Sequence, residues 1–123
     1  MLVLLDTSIL IFLAEKPSSF LDDLGACLGK ADLCVPDSVL GELTSLSQSR
    51  GPKGRKAKLA LSYAARLTSV EQGGEADDAL VILAQEKRAV VATLDGKLTS
   101  SLRRRGVPVA TVKSDRLLLL GIR

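Results

Sequence analysis

The chain alternates short, wholly apolar runs with longer segments whose apolar residues recur every three or four positions. "LVLL" (2–5) is the first short run and reads as a buried strand. "DTSILIFLAEK" follows, with Asp, Thr and Ser placed to cap a helix that ends before Pro17. "SSFLDDLGACLGK" reads as a second helix, opened by serine and closed at Gly29. "ADLCVP" is again strand-like, and "DSVLGELTSLSQS" puts Val39, Leu40, Leu43 and Leu46 on one helical face. The glycines and proline of "RGPKGRK" predict a loop, after which a helix runs from about Lys56 to Leu67. A brief strand from Ser69 to Glu71 leads into "QGGEAD". Helix "ADDALVILAQEK", strand "AVVATL", helix "DGKLTSSLRRRG" and strand "VPVATV" come next. The tail "SDRLLLLGIR" fits strand or helix equally. No repeat or linker interrupts the pattern. Strands alternating with helices over short connections predict one α/β domain, residues 1–123, with a parallel sheet covered on both faces.

Composition then removes whole classes of chemistry. The chain has no histidine, which excludes serine–histidine triads, cysteine–histidine pairs and histidine acid–base nucleases. Phe12, Phe20 and Tyr63 are its only aromatics, too few for a base-stacking platform. Cys27 and Cys34 sit in apolar company and are read as reduced core residues of a cytoplasmic protein, since two thiolates leave a zinc site half built. Asp6 interrupts "MLVLL" before a signal sequence can form, and no apolar run reaches the length of a membrane span. Carboxylates, hydroxyls and cations remain for chemistry.

The charges are unevenly placed. Residues 50–58, "RGPKGRKAK", hold five bases and no acid, whereas residues 1–49 hold seven acids and two bases. A polyanionic partner would be drawn to the basic stretches, leaving the acids to be explained. In open α/β sheets ligands bind beyond the carboxyl ends of the strands. Asp6 follows "LVLL" and Asp95 follows "AVVATL" at those ends. Glu42 shares a helical face with Val39 and Leu46, and Asp77 shares one with Leu80, Val81 and Ala84, so both are expected to be partly buried. An aspartate at a strand–helix junction is ordinarily a cap, and a helical glutamate is ordinarily solvated. Four carboxylates converging on one sheet edge, however, repel one another unless a cation neutralises them. All-oxygen ligands of this hardness suit Mg²⁺ or Mn²⁺. Glu75 and Asp78 crowd the same helix start as Asp77 and are read as caps or as groups reaching an ion through water.

"VLLDTSIL", "VPDSVLGEL", "GEADDALVILA" and "VVATLDGKLTSSLRRRGVPV" together resemble the motif series of the PIN-domain ribonucleases, over nearly the whole chain. The insert "GPKGRKAKLAL" and the spelling "GEADDAL" are similar to small archaeal PIN proteins of the VapC-toxin and Fcf1-type ribosomal-RNA-processing kinds. The resemblance implies a three-layer α/β/α sandwich and divalent-metal-dependent cleavage of RNA. Carried over by position, its catalytic and metal-binding acids are Asp6, Glu42, Asp77 and Asp95. Asp77 is preferred to Asp78 because the family places an aliphatic residue three positions, and a small residue seven positions, after its acid, as Leu80 and Ala84 stand here. Thr7, or Ser8 where the family often has asparagine, and Thr93 resemble hydroxyls beside the metal. Lys53, Arg55, Lys56, Arg103, Arg104 and Arg105 are expected to anchor the RNA backbone, against the plainer reading of a solvated basic face. A homodimer and an antitoxin protein are the further partners expected.

Two other readings compete. The fold could serve only as an RNA-binding or assembly module, against which the complete acid set counts. A phosphohydrolase of the haloacid-dehalogenase kind also places a nucleophilic aspartate after its first strand. That chemistry wants a second aspartate two residues on, where Ser8 stands.

Overall fold

The apolar runs form β1 (Leu2–Leu5), β2 (Asp32–Pro36), β3 (Thr68–Val70), β4 (Val90–Ala92), β5 (Val109–Lys113) and β6 (Arg116–Leu120) of one sheet. The helices are α1 (Thr7–Glu15), α2 (Phe20–Leu28), α3 (Asp37–Ser47), α4 (Pro52–Ala64), α5 (Ala76–Lys87) and α6 (Gly96–Arg104). This computed structural model describes residues 1–15, 19–72 and 74–121; Pro17, Gly73, Ile122 and Arg123, on which parts of the sequence reading fell, lie outside the described residues.

The strand order is β3-β2-β1-β4-β5-β6. The first five strands run parallel, and β6 pairs antiparallel with β5. The sheet is therefore mixed, not purely parallel, and the ambiguous tail is a strand. Its direction is set by a tight turn in which Ser114 and Asp115 both have positive φ, 51° and 62°. A two-residue type I′ hairpin asks for that conformation at both of its central residues. The connections β1→β2→β3 advance one way across the sheet, and those through β4 and β5 advance the other way. Right-handed crossovers then put α1–α4 on one face and α5 and α6 on the opposite one, an α/β/α sandwich. The core is aliphatic: Val3, Leu4, Leu5, Val90 and Val91 are fully buried in the central strands, as a sheet covered on both faces requires.

Two expectations need correction. Cys34 is buried but Cys27 is exposed on α2, so only one cysteine belongs to the core. The stretch "RGPKGRK" is not a loop up to Lys56, because α4 already begins at Pro52. Proline suits the first helical position, where its missing N–H costs nothing. Gly54 is buried inside α4 because a Cβ there would lie 1.8 Å from the carbonyl oxygen of Ser49. The glycine and proline thus build a close α3–α4 junction. Among the described residues no helix is long and apolar enough to cross a membrane.

β1 and β4 are neighbours from which the chain departs to opposite sides. That switch point opens a crevice at the carboxyl ends of the strands. Asp6 leaves β1 at this place, and Thr93 to Asp95 leave β4 beside it.

Candidate active site

Asp6 is the buried centre of the crevice, 5% exposed. Its Oδ1 accepts the Ile9 N–H at 2.9 Å, which caps α1. The Ser8 hydroxyl donates to the same carboxylate, 2.8 Å from Oδ1 and 3.0 Å from Oδ2. The buried Thr93 hydroxyl donates to Oδ2. Both hydroxyls in turn accept backbone N–H groups of the β4–α6 loop: Leu94 to Ser8 at 2.9 Å and Asp95 to Thr93 at 3.0 Å. Two strand ends far apart in sequence are thereby locked together through one carboxylate.

Asp95 caps α6, its Oδ1 accepting from Lys97 N at 2.8 Å and Leu98 N at 3.1 Å. The ordinary cap reading is therefore true of both aspartates. It leaves Asp95 Oδ2 without a hydrogen bond among the described residues, and it does not account for the acids opposite. Asp6, Thr7, Ser8, Glu42, Asp77 and Asp95 line one cleft of about 230 Å³, with Val39 and Leu80 as apolar wall. Glu42 and Asp77 are exposed at its rim, more open than their helical faces suggest, although Asp77 still loses part of its water. Apolar neighbours on a helix face do not bury a side chain at the open end of a sheet. Of the other acids at the start of α5, Glu75 occupies the N-cap position without a side-chain cap bond. Asp78 faces a neighbouring groove between α5 and α6 that shares Asp77 with the cleft.

The acids sense one another. Burial is the main cause that pushes Asp6 up to about 6, against the Thr93, Ile9 and Ser8 donors, and the charge of Asp77 adds to the rise. Asp77 is raised too, first by partial loss of water and then by the charges of Asp95, Glu42, Glu75 and Asp78. The donor set is all oxygen, as a hard divalent ion prefers. Among the described residues no three acids already stand at the spacing of a coordination sphere, so an ion would have to draw them inward.

A pH dependence follows. Asp6 titrates higher in the folded chain, near 6, than its ordinary 3.8. Below that ordinary value the group is protonated in both states and its contribution to stability is fully present. Between about pH 4 and pH 6 the folded state holds the proton more tightly, so stability falls as pH rises, by about 3 kcal/mol in total. Thermal unfolding in EDTA across this range should show the decline, and Asp6→Asn should flatten it.

The expected cations lie elsewhere. Lys53, Arg55 and Lys56 are exposed on the first turns of α4 and do not line the cleft. Lys56 Nζ pairs with Glu15 at 3.1 Å. Arg103 and Arg104 close α6, and Arg105 lines the α5–α6 groove. The sequence reading passed over Asp37 and Lys97. Asp37 follows β2 just as Asp6 follows β1, but its carboxylate accepts Gln72 N–H at 2.9 Å and ties α3 to the segment leading to α5. Its position at a strand end was a readable signal.

A family model described as a PIN like domain matches residues 3–115. Ribonuclease VapC9 of Archaeoglobus fulgidus is 28% identical over 112 residues, spanning 90% of this chain and 82% of its own. The structure of the PIN domain endonuclease Utp24 superimposes with a TM-score of 0.76 at 29% identity, covering 98% of this chain and 92% of that one. VapBC2 from Rickettsia felis, solved bound to a DNA fragment from its promoter, gives a TM-score of 0.67 at 16% identity, over 92% of this chain and 100% of that one, a likeness of fold alone.

Proposed function

The chain belongs to the PIN-like domain family, and on that basis we propose that it is a metal-dependent endoribonuclease, acting as one domain over residues 1–123. The carrying observation is that Asp6, Glu42, Asp77 and Asp95, delivered by four different elements, line one cleft at the topological switch point of the sheet. Relatives named as a ribonuclease and an endonuclease, at 28% and 29% identity, support the reaction class.

In this reading the four carboxylates hold Mg²⁺ or Mn²⁺. Such an ion, when bound, lowers the pKa of a water and stabilises charge on a scissile phosphate. Asp6 is the fixed member, because Thr93, Ser8 and the Ile9 N–H orient its carboxylate before anything binds. Asp95 offers Oδ2 while its Oδ1 stays on α6. Glu42 and Asp77, exposed at the rim, are free to close from the helix side. The products would carry a 5′-phosphate and a 3′-hydroxyl. Lys53, Arg55 and Lys56 remain proposed as outlying contacts to the RNA backbone. On the resemblance to the VapC toxins, an antitoxin protein and a second copy of the chain are proposed as partners. The phosphohydrolase reading wants a second aspartate two residues after Asp6, and Ser8 stands there with its hydroxyl donating to the Asp6 carboxylate.

The test is a labelled single-stranded RNA incubated with Mn²⁺, with EDTA, and with Asp95→Asn. Asparagine caps a helix about as well as aspartate, so this variant keeps α6 while removing a charge from the cleft. The expected result is cleavage by the Mn²⁺-loaded wild type only. Cleavage that persists in EDTA or in the variant contradicts the assignment.

A further inference from the structure

Resting on the ribonuclease reading, we infer that the groove between α5 and α6 is the track along which the RNA strand leaves the carboxylate cleft. The groove has a volume of about 370 Å³ and is lined by Asp77, Val81 and Ile82 of α5 and by Lys97, Ser101 and Arg105 of the α6 side. Asp77 lines both cavities, so the groove adjoins the cleft at that side chain.

Its two sides differ in chemistry. The α5 wall begins with Asp77 and Asp78, which repel phosphate, and continues with Val81 and Ile82. Ile82 is 41% exposed and, beside Val81, offers an apolar surface to the flat face of a nucleobase. The opposite wall carries Lys97 and Arg105, both exposed, with the Ser101 hydroxyl between them. A strand lying here turns its phosphates to α6 and its bases to α5. At 1.5 Å per residue the two cations are about 12 Å apart along α6, so they meet different phosphates of one strand. The α4 cations line neither the cleft nor this groove. Lys97 thereby enters the binding surface, and Arg105 is separated in role from Arg103 and Arg104.

The experiment measures affinity of a fluorescein-labelled single-stranded oligoribonucleotide in EDTA over a series of salt concentrations, so that binding is read without cleavage. Lys97→Ala with Arg105→Ala should weaken binding roughly tenfold and lower the slope of log affinity against log salt by about 1.4, two phosphate contacts' worth. Ile82→Ala should weaken binding about threefold with the slope unchanged, because it removes apolar contact and no charge. Lys53→Ala with Arg55→Ala should change both quantities less than the groove pair does. Wild-type affinity and slope in the Lys97/Arg105 variant would overturn the track, as would a larger loss in the α4 pair. Cleavage by the wild type in Mn²⁺ is scored separately. Binding that depends on the groove without any cleavage would count against the ribonuclease reading and leave the track standing.

Discussion

Asp6→Asn is expected to abolish metal-dependent RNA cleavage while raising the melting temperature of the metal-free protein. The two effects have one cause. Asp6 is almost fully buried and its carboxyl is pushed up to about 6, so at neutral pH the folded chain carries a charge that burial opposes. Asparagine keeps an acceptor for the Ile9 N–H and removes the charge. The gain in stability at pH 7.5 in EDTA should be about 2 kcal/mol, somewhat less than the full titration effect because the amide must re-pair with Ser8 and Thr93. The loss of activity should exceed the roughly 10–100-fold that groups behind a metal ligand are typically worth. Thermal melts and cleavage assays on the same preparation check both. A variant that is less stable and still active would show Asp6 to be a structural cap only.

Gly54→Ala should be among the most damaging single changes outside the cleft. The added Cβ would stand 1.8 Å from the Ser49 carbonyl oxygen and 3.3 Å from that of Ser47, and these are backbone atoms that cannot rotate away. The α3–α4 junction must open, at a cost of about 3 kcal/mol. Gly25 in α2 and Gly41 in α3 make the contrast, since a Cβ at either meets nothing within 4 Å. Alanine there should stabilise by about 0.5–1 kcal/mol through helix propensity. Urea unfolding of the three variants measures the difference. Equal midpoints would mean that the junction is looser than this packing implies.

These two positions also mark what the sequence could and could not convey. The wholly apolar runs and the 3.6-residue periodicity revealed the strands and most helices, because a doubly covered sheet leaves that pattern directly. Asp6 and Asp95 were legible for a topological reason: each follows a strand, and strand ends in an α/β sheet face one edge. The burial of Glu42 and Asp77 was overestimated, since periodicity reports which face of a helix an acid shares but not how far the cleft opens to water. Gly54 read as a loop signal because its reason is a contact with Ser49 in three dimensions, which no local propensity encodes. The direction of β6 was hidden for a similar reason. "RLLLL" alternates with nothing, and only the positive φ of Ser114 and Asp115 turns it back. Lys97 was overlooked because a single lysine near a helix start carries no signal until α5 is seen beside it.

The central claim, that the cleft carboxylates act together as a divalent-ion site, is tested most directly by Mn²⁺ titration of the wild type, Asp6→Asn and Asp77→Asn, followed by electron paramagnetic resonance. The account predicts saturable Mn²⁺ binding by the wild type and binding at least about tenfold weaker in each variant. Equal affinity in all three proteins would contradict it.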